Sequence, residues 1–433
     1  MGKITLFDYQ EEQIKKGLQG QVLNQSEVGT GKTFVGLEIF KQSGLEKLLI
    51  VCLAKKVDDF AEDGKLVNLV VTPLSKGTAK NKTLLKEAKA VSISFESVWR
   101  LKELEKWVDN KTMILIDESH KVKNAGSKVS AFVEKLSKKA NFSYLMSATM
   151  VSNGKYEEYY QQLKIAGVYE GTFKDFKNDY CVEELQNMKV KGRTVYFNEI
   201  IGYTNTDQLD NLIQLASVYK KREKDDKLLP EDVFLYVKKP TMYGKLLKNR
   251  VIDFGTHIEE YDNLPKLRHG LLQLCSGVLK GVDKPLKSDK LDYVRDILTS
   301  SENKRVVIFY NYVSELNALK QLMKSLKRPY SEFNGETHDL KAFKNNNDGV
   351  ALVQYLSGST GVNDFVISNI CIFFSQCVSS SLYIQAKGRI DRHGQTKKPI
   401  YYHLICDKSV EMEAHKTVMS GKDFTDKQLE KLL

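Results

Sequence analysis

The sequence lacks several features that would place the protein in other structural classes. Its 433 residues contain no apolar run approaching the ~20 residues of a membrane-spanning helix, so no membrane partner is expected. Residues 1–8 show no apolar core of a secretory signal. The six cysteines form no C-x-x-C pair, and no low-complexity tract or short repeat occurs. These absences argue against a zinc site and predict a cytosolic protein with buried, reduced thiols.

The charge balance is strongly basic. The net charge is +11 and the isoelectric point is near 9.0, with lysines spread along the chain rather than gathered in a tail. Such a balance suits a fold that presents a basic face to a polyanion. A well-solvated lysine-rich surface would give the same balance, so charge alone leaves both interpretations open.

A glycine-rich loop near the N-terminus predicts a phosphate-binding site. Residues 26–33 (SEVGTGKT) follow a short apolar run and precede a helical pattern, which is the context that such a loop needs. Gly29 and Gly31 allow the backbone N–H groups to turn towards phosphate oxygens. Lys32 would reach the β- and γ-phosphates, and the Thr33 hydroxyl would ligate Mg²⁺. The residues expected to bind the nucleotide here are Ser26, Val28, Gly29, Thr30, Gly31, Lys32 and Thr33.

Apolar runs that alternate with helical patterns predict an α/β fold. After the glycine loop, short buried-strand patterns occur at residues 48–51, 91–95, 113–116 and 144–146. A second alternating series begins near residue 288, without a second phosphate loop. The sequence therefore predicts two doubly wound parallel-sheet domains. A charged segment ending at Pro240 places the boundary there, giving domains at 1–240 and 241–433.

The second stretch that carries chemistry is 113–120 (MILIDESH), where a buried strand ends in two adjacent acids. Ligands bind at the carboxyl ends of strands in a parallel sheet. Asp117 would hold Mg²⁺ through water, opposite Thr33. Glu118 would orient and deprotonate the water that attacks the γ-phosphate. Two acids after a strand more often lie in a solvated loop, but the upstream glycine loop favours the catalytic interpretation.

The order of these motifs resembles that of superfamily 2 nucleic-acid-dependent ATPases, and most closely their Swi/Snf-type branch of translocases. Residues 117–120 (DESH), 147–150 (SATM) and, above all, 385–395 (QAKGRIDRHGQ) carry the resemblance. It implies two RecA-like lobes with ATP in the cleft between them, and Gln10 reading adenine. It further implies nucleotide contact by Gly361, nucleic-acid contacts by Lys55, Ser94, Asn311, Ser359 and Thr360, and coupling by His120, Ser147 and Thr149.

Two arginines in the last motif have a clear physical role in such an enzyme. Arg389 and Arg392 are three residues apart, so they would share one face of a helix, with Gln385 near the same face. A guanidinium is always charged, and it can stabilise the charge that develops on the transferred phosphoryl group. An ordinary surface helix with solvated arginines is the alternative that the motif context disfavours.

The leading functional prediction is a DNA-stimulated ATPase, using ATP and Mg²⁺, that translocates on or remodels DNA during replication, recombination or repair. Contacts to duplex or forked DNA would be sequence-independent phosphate contacts. Strand separation, a motor subunit of a restriction or replication assembly, and a non-catalytic ATP-gated nucleic-acid clamp are the alternatives. The short chain predicts a minimal monomeric motor in a bacterial or phage-infected cytosol, with replication or repair proteins as partners.

Overall fold

The structure is a computed structural model, and it describes residues 5–75, 77–151, 154–190, 193–221, 228–253, 258–277, 279, 289–358, 364–392 and 394–433. Contacts between residues divide the chain into two compact units, Met1–Arg222 and Glu223–Leu433. This division comes earlier than the boundary that the charged segment suggests. The difference arises because the strand Glu231–Val237 pairs with the sheet of the second unit.

The first unit contains one parallel sheet, a separate hairpin and a series of helices. Its described strands are β1 (Leu23–Asn24), β2 (Lys47–Cys52), β3 (Thr72–Pro73), β4 (Ala90–Ser94), β5 (Thr112–Asp117), β6 (Phe142–Met146), β7 (Cys181–Val190), β8 (Arg193–Tyr203) and β9 (Ser217–Val218). Its described helices are α1 (Asp8–Leu18), α2 (Lys32–Ser43), α3 (Asp59–Leu66), α4 (Thr78–Glu87), α5 (Phe95–Val98), α6 (Leu104–Trp107), α7 (Lys128–Ser137), α8 (Tyr159–Ile165), α9 (Phe173–Tyr180) and α10 (Thr206–Ala216).

The sheet of the first unit is parallel throughout, in the strand order β3-β4-β2-β5-β6-β1-β9. Strand β2 shows why its sequence has no polar alternation. Leu49 and Val51 enter one core cluster, whereas Leu48 and Ile50 enter another, so both faces of the strand are covered. The strands predicted from the apolar runs are confirmed, and their carboxyl ends lie along one edge of the sheet.

The sequence between residues 151 and 220 predicts a mostly helical segment with one strand at 194–197, and the structure differs in part. Besides helices α8, α9 and α10, it contains the antiparallel hairpin β7–β8, which pairs with neither of the large sheets. The predicted strand at 194–197 is part of β8. The apolar residues of the hairpin are spaced among charged ones and remain exposed, for example Leu185 at 66% and Tyr196 at 65%. Because these residues are exposed, apolar and polar side chains do not clearly alternate along the hairpin sequence.

The second unit contains another parallel sheet, in the order β10-β17-β16-β13-β15-β14. Its described strands are β10 (Glu231–Val237), β11 (Val251–Asp253), β12 (Ile258–Glu260), β13 (Val306–Tyr310), β14 (Tyr330–Phe333), β15 (Val350–Gln354), β16 (Ile370–Phe373) and β17 (Ile400–Cys406). Its described helices are α11 (Thr241–Asn249), α12 (Leu264–Cys275), α13 (Asp289–Ser300), α14 (Val313–Ser325), α15 (Lys341–Asn345), α16 (Tyr355–Gly358), α17 (Ser380–Lys387), α18 (Val410–Met419) and α19 (Asp426–Glu430).

The central strand β13 is buried on both faces, like β2. Val307 and Phe309 enter one core cluster, and Val306 and Ile308 enter another. The prediction of two doubly wound α/β lobes is therefore confirmed. All six cysteines are buried, as predicted, and none of them is in a disulfide in the structure. In the described part of the chain, no helix has both the length and the apolar composition for a membrane span.

Candidate nucleotide site

The glycine loop has the backbone geometry that its sequence predicts. Gly29 and Gly31 have φ angles of 84° and 76°, a left-handed region that residues with a side chain rarely adopt. Helix α2 begins directly after Gly31. Gln10 Nε2 donates to the carbonyl oxygen of Thr30 at 3.1 Å, and a Cβ at Gly31 would overlap this amide. The loop therefore needs glycine here both for its backbone angle and for the close approach of Gln10.

Hydrogen bonds of the Lys32 and Ser26 side chains stabilise the loop. Lys32 Nζ donates to the backbone carbonyl oxygens of Ser26 at 2.7 Å and Glu27 at 2.9 Å. Burial lowers the pKa of Lys32, although Glu118 and Asp117 act in the opposite direction. The Ser26 hydroxyl is fully buried and accepts from Gln13 Nε2 at 2.9 Å, so it supports the loop from behind.

The other predicted loop residues differ in how they are held. The Thr30 hydroxyl donates to the carbonyl oxygen of Glu27 at 2.8 Å, which closes the turn. Val28 and Thr33 are half-buried, and Thr33 lies in the first turn of α2. The N-terminal turn of this helix supplies the positive dipole end that favours an anion.

Asp117 is the last residue of β5 and is 9% exposed. Burial raises its pKa to about 6, although Lys56 and Lys32 lower it. A carboxylate that burial disfavours gains from a nearby cation. Carboxylate and hydroxyl oxygens are the ligands that Mg²⁺ prefers, so Asp117 and Thr33 fit such an ion. In the described residues, no group of three or more histidine, cysteine or acidic side chains could hold a metal by itself.

Glu118 has a backbone conformation that is costly for its residue type. Its φ and ψ angles are 60° and 56°, in the left-handed region. Strain of this kind is retained mainly at functional sites. Burial alone would raise the pKa of Glu118, but the His120 imidazole and Lys32 outweigh it and lower the pKa to about 2. The carboxylate is therefore charged at neutral pH.

The acidic motif and the coupling motif meet in one polar network. His120 Nδ1 lies 3.3 Å from Glu118 Oε2 and 3.2 Å from Ser147 Oγ. Ser147 Oγ also donates to Glu118 Oε2 at 3.5 Å and accepts from the Thr149 N–H at 3.2 Å. Hydrogen bonds thus connect Glu118 to the segment after β6.

Two predicted nucleic-acid contacts lie near the same edge of the first sheet. Lys55 follows β2 and is exposed. Ser94 ends β4, is 6% exposed, and donates to Ser97 Oγ at 3.1 Å. Lys55 is the more accessible of the two.

Sequence reasoning missed a buried amide network behind the loop. Asn24 Nδ2 donates to Gln13 Oε1 at 3.4 Å and to the Tyr144 hydroxyl at 3.2 Å. Ser119 donates to Gln162 Oε1 at 2.7 Å, and Gln162 Nε2 donates to the Met150 carbonyl at 2.8 Å. Gln162 therefore joins the acidic motif to the end of the coupling motif. Nothing in a single sequence distinguishes these amides from solvated ones.

The arginine motif of the second unit corrects one expectation. Helix α17 ends at Lys387, so Arg389 and Arg392 lie in the turn after it rather than on a helix face. The helix ends because Gly388 follows, and glycine is a poor helix former. The Arg389 N–H bonds to the carbonyl oxygen of Ala386 at 3.1 Å, an i to i−3 spacing typical of a turn. Gln385 is on the helix and half-buried.

Asn311 directly follows β13, and its side-chain amide is engaged within the second unit. Its Nδ2 donates to Ser375 Oγ at 2.9 Å and to the Gln376 carbonyl at 3.1 Å. Both amide protons are therefore used, and Asn311 links the end of β13 to the residues that follow β16. The predicted positions Ser359, Thr360 and Gly361 lie outside the described residues.

Comparisons with known proteins agree with the motif order. The DEAD/DEAH box helicase model matches residues 7–155, and the helicase conserved C-terminal domain model matches residues 289–394. A SWI/SNF-related matrix-associated actin-dependent regulator of chromatin subfamily A-like protein 1 of Drosophila melanogaster is 22% identical, over 89% of this chain and 51% of that protein. The DNA repair and recombination protein RDH54 of Saccharomyces cerevisiae is 22% identical, over 93% of this chain and 49% of that protein.

The chain spans about half the length of these curated relatives. A solved structure titled Sulfolobus solfataricus SWI2/SNF2 ATPase core in complex with dsDNA matches with a TM-score of 0.44 and 18% identity, over 96% of this chain and 91% of that chain.

Proposed function

Because this chain is a superfamily 2 helicase-like ATPase similar to the Swi/Snf type, we propose that it hydrolyses ATP in response to DNA and uses the energy to translocate on it. In this proposal, Lys32 and the loop N–H groups hold the phosphates. Asp117 and Thr33 hold Mg²⁺, which would neutralise charge on the phosphates. Glu118 orients the attacking water.

The observation that carries the proposal is the network of Glu118, His120 and Ser147. A simple nucleotide-binding fold has no need to connect its water-activating carboxylate to a second motif. Here the Glu118 carboxylate contacts both His120 and Ser147, and Ser147 directly follows β6. This arrangement suits an enzyme in which hydrolysis and a change elsewhere in the chain are coupled.

The proposed role of Arg389 and Arg392 is to stabilise the charge on the transferred phosphoryl group. Both arginines lie within residues 385–395, the motif that most resembles this branch. DNA is the proposed polyanion, because the net charge is +11 and Lys55 is exposed beside the sheet edge that carries Asp117. Contacts of this kind are made to phosphates, so they are insensitive to sequence and weaken with salt.

The test is steady-state ATP hydrolysis with duplex DNA, single-stranded DNA, forked DNA and RNA at matched nucleotide concentration. The proposal expects the largest stimulation by duplex DNA, and stimulation that falls as salt rises. Displacement of a third strand from a DNA triplex, with ATP against a non-hydrolysable analogue, then measures translocation. Hydrolysis that no nucleic acid stimulates would refute the proposal.

The exposed hairpin β7–β8 favours strand separation as a second candidate. Tyr196 is 65% exposed and Phe197 is 38% exposed, and aromatic side chains of this kind can stack on unpaired bases. The forked substrate decides between the two candidates. If forked DNA is unwound, and Tyr196→Ala removes unwinding without lowering duplex-stimulated hydrolysis, strand separation is the better description.

A further inference from the structure

The end of helix α17 is held by a side chain from the first strand of the second unit. Lys387, the last residue of α17, places its Nζ 2.7 Å from Asp232 Oδ1 and 2.8 Å from Asp232 Oδ2. Asp232 lies on β10, the edge strand of this sheet. The ammonium group also lies 4.5 Å from the centre of the Tyr401 ring. A two-oxygen contact together with a cation–π contact fixes the Lys387 side chain in one orientation.

The backbone of the same residue supports the turn that carries the arginines. The Lys387 carbonyl oxygen accepts from the Tyr401 hydroxyl at 2.6 Å and from the Asp391 N–H at 3.3 Å. Asp391 lies between Arg389 and Arg392. The Lys387 carbonyl oxygen is therefore bonded both to the turn, through Asp391, and to β17, through Tyr401.

The far end of this turn is fixed by Gln395. Its Nε2 donates to the carbonyl oxygens of Ser368 at 2.8 Å and Ile390 at 2.9 Å. This end of the turn is therefore anchored to the backbone of the second unit, whereas the side chains of Asp232 and Tyr401 contact Lys387 at the other end.

A buried histidine holds Asp232 in place. His403 is 0% exposed, and its Nε2 donates to Asp232 Oδ1 at 2.7 Å. The imidazole stacks on Phe234, with ring centres 4.9 Å apart and planes at 21°. The carboxylate thus accepts from Lys387 on one side and from a rigid ring on the other, so it cannot easily rotate away.

We infer that Asp232 is a positioning residue for ATP hydrolysis, because its carboxylate, through Lys387, fixes the turn that carries Arg389 and Arg392. This inference rests on the proposed role of the two arginines. Strand β10 would then help to position the arginines in addition to forming part of the sheet. Any shift of β10 along β17 would move Lys387 and the arginines with it.

The test compares Asp232→Asn and Lys387→Met with the wild type in the full-length chain. Asparagine keeps the shape and the His403 contact but loses the charge that holds Lys387. Misplacement of a group that acts on the transition state by about 1 Å can cost roughly 100-fold. Each variant should therefore lower the DNA-stimulated kcat by roughly 10- to 100-fold, with the KM for ATP within about twofold. The double variant should be no worse than either single one, because the two residues act as a unit.

The matched control is Arg328→Lys, in the same unit. The Arg328 guanidinium donates to four backbone carbonyl oxygens away from the arginine turn, so this change destabilises the unit without touching the turn. A kcat that falls equally in this control, at the same loss of Tm, would overturn the inference. So would a wild-type kcat for Asp232→Asn.

Arg389→Ala separates the inference from the proposal beneath it. If Arg389→Ala lowers kcat strongly while Asp232→Asn does not, the positioning role is wrong and the arginine role stands. If Arg389→Ala leaves kcat unchanged, the arginine role itself is wrong, and the positioning role falls with it.

Discussion

Replacement of Glu118 by glutamine tests the chemistry of the first unit most sharply. The carboxylate has its pKa lowered to about 2, so it is fully charged at neutral pH and is available as an acceptor for a water proton. Its contacts to His120 at 3.3 Å and Ser147 at 3.5 Å are both made by Oε2. General base catalysis contributes ~10²–10⁴-fold, equivalent to ~3–5 kcal/mol of activation free energy.

Glutamine keeps the size of the side chain and does not change the cost of the left-handed backbone at this position. Single-turnover hydrolysis of ATP with saturating duplex DNA should therefore slow ~10²–10⁴-fold in Glu118→Gln, while ATP binding is retained. Glu134→Gln is the control, since Glu134 is a partly buried carboxylate in the same unit that accepts from Gln161 at 2.9 Å, away from the site. Hydrolysis by Glu118→Gln at the wild-type rate would refute the assignment of Glu118.

Three further predictions concern the loop, a buried ion pair and pH. Gly31→Ala should weaken ATP binding at least tenfold in a fluorescent-nucleotide titration, because its φ of 76° and its contact with Gln10 exclude a Cβ; unchanged affinity would contradict this. Lys290→Met should lower the free energy of urea unfolding by ~3–5 kcal/mol, because it leaves the Glu411 carboxylate buried at 1% exposure without its cation; a loss below about 1 kcal/mol would contradict this. Burial lowers the pKa of His415 from 6.5 to about 4. Between these pH values the unfolded chain binds more protons than the folded chain. The free energy of unfolding should therefore decrease by on the order of 3 kcal/mol as the pH falls through this window. His415→Gln should remove this part of the pH dependence in urea unfolding at pH 7 and pH 4.5, and an unchanged dependence would show that His415 is not its source.

The fold could be predicted largely because parallel strands are buried on both faces. Runs such as 48–51 and 113–116 have no polar alternation, and the structure places strands β2 and β5 there. Of the hairpin β7–β8, only the strand at 194–197 could be predicted, since residues such as Leu185 are exposed and carry no burial pattern. Strand β10 was missed because its charged neighbours suggested a connecting segment, whereas pairing with β17 is a long-range contact that local pattern does not encode.

The candidate site could likewise be predicted only in part from the sequence. Motif spacing places Lys32, Asp117 and Glu118 in the same region, and the structure brings their charges close enough to shift one another's pKa. The role of Ser26 could not be predicted, because its partner Gln13 is identified only by the packing of α1 behind the loop. Helical spacing also misplaced Arg389, since local periodicity does not reveal where a helix ends.

The central claim is that Arg389 takes part in the hydrolysis of the ATP that Lys32 helps to bind. The most direct measurement is DNA-stimulated kcat together with the Kd for ATP in full-length Arg389→Ala and Lys32→Ala. We predict that Arg389→Ala lowers kcat ~10³-fold or more and leaves the Kd for ATP within about threefold, whereas Lys32→Ala weakens binding as well. A wild-type kcat in Arg389→Ala would contradict the claim.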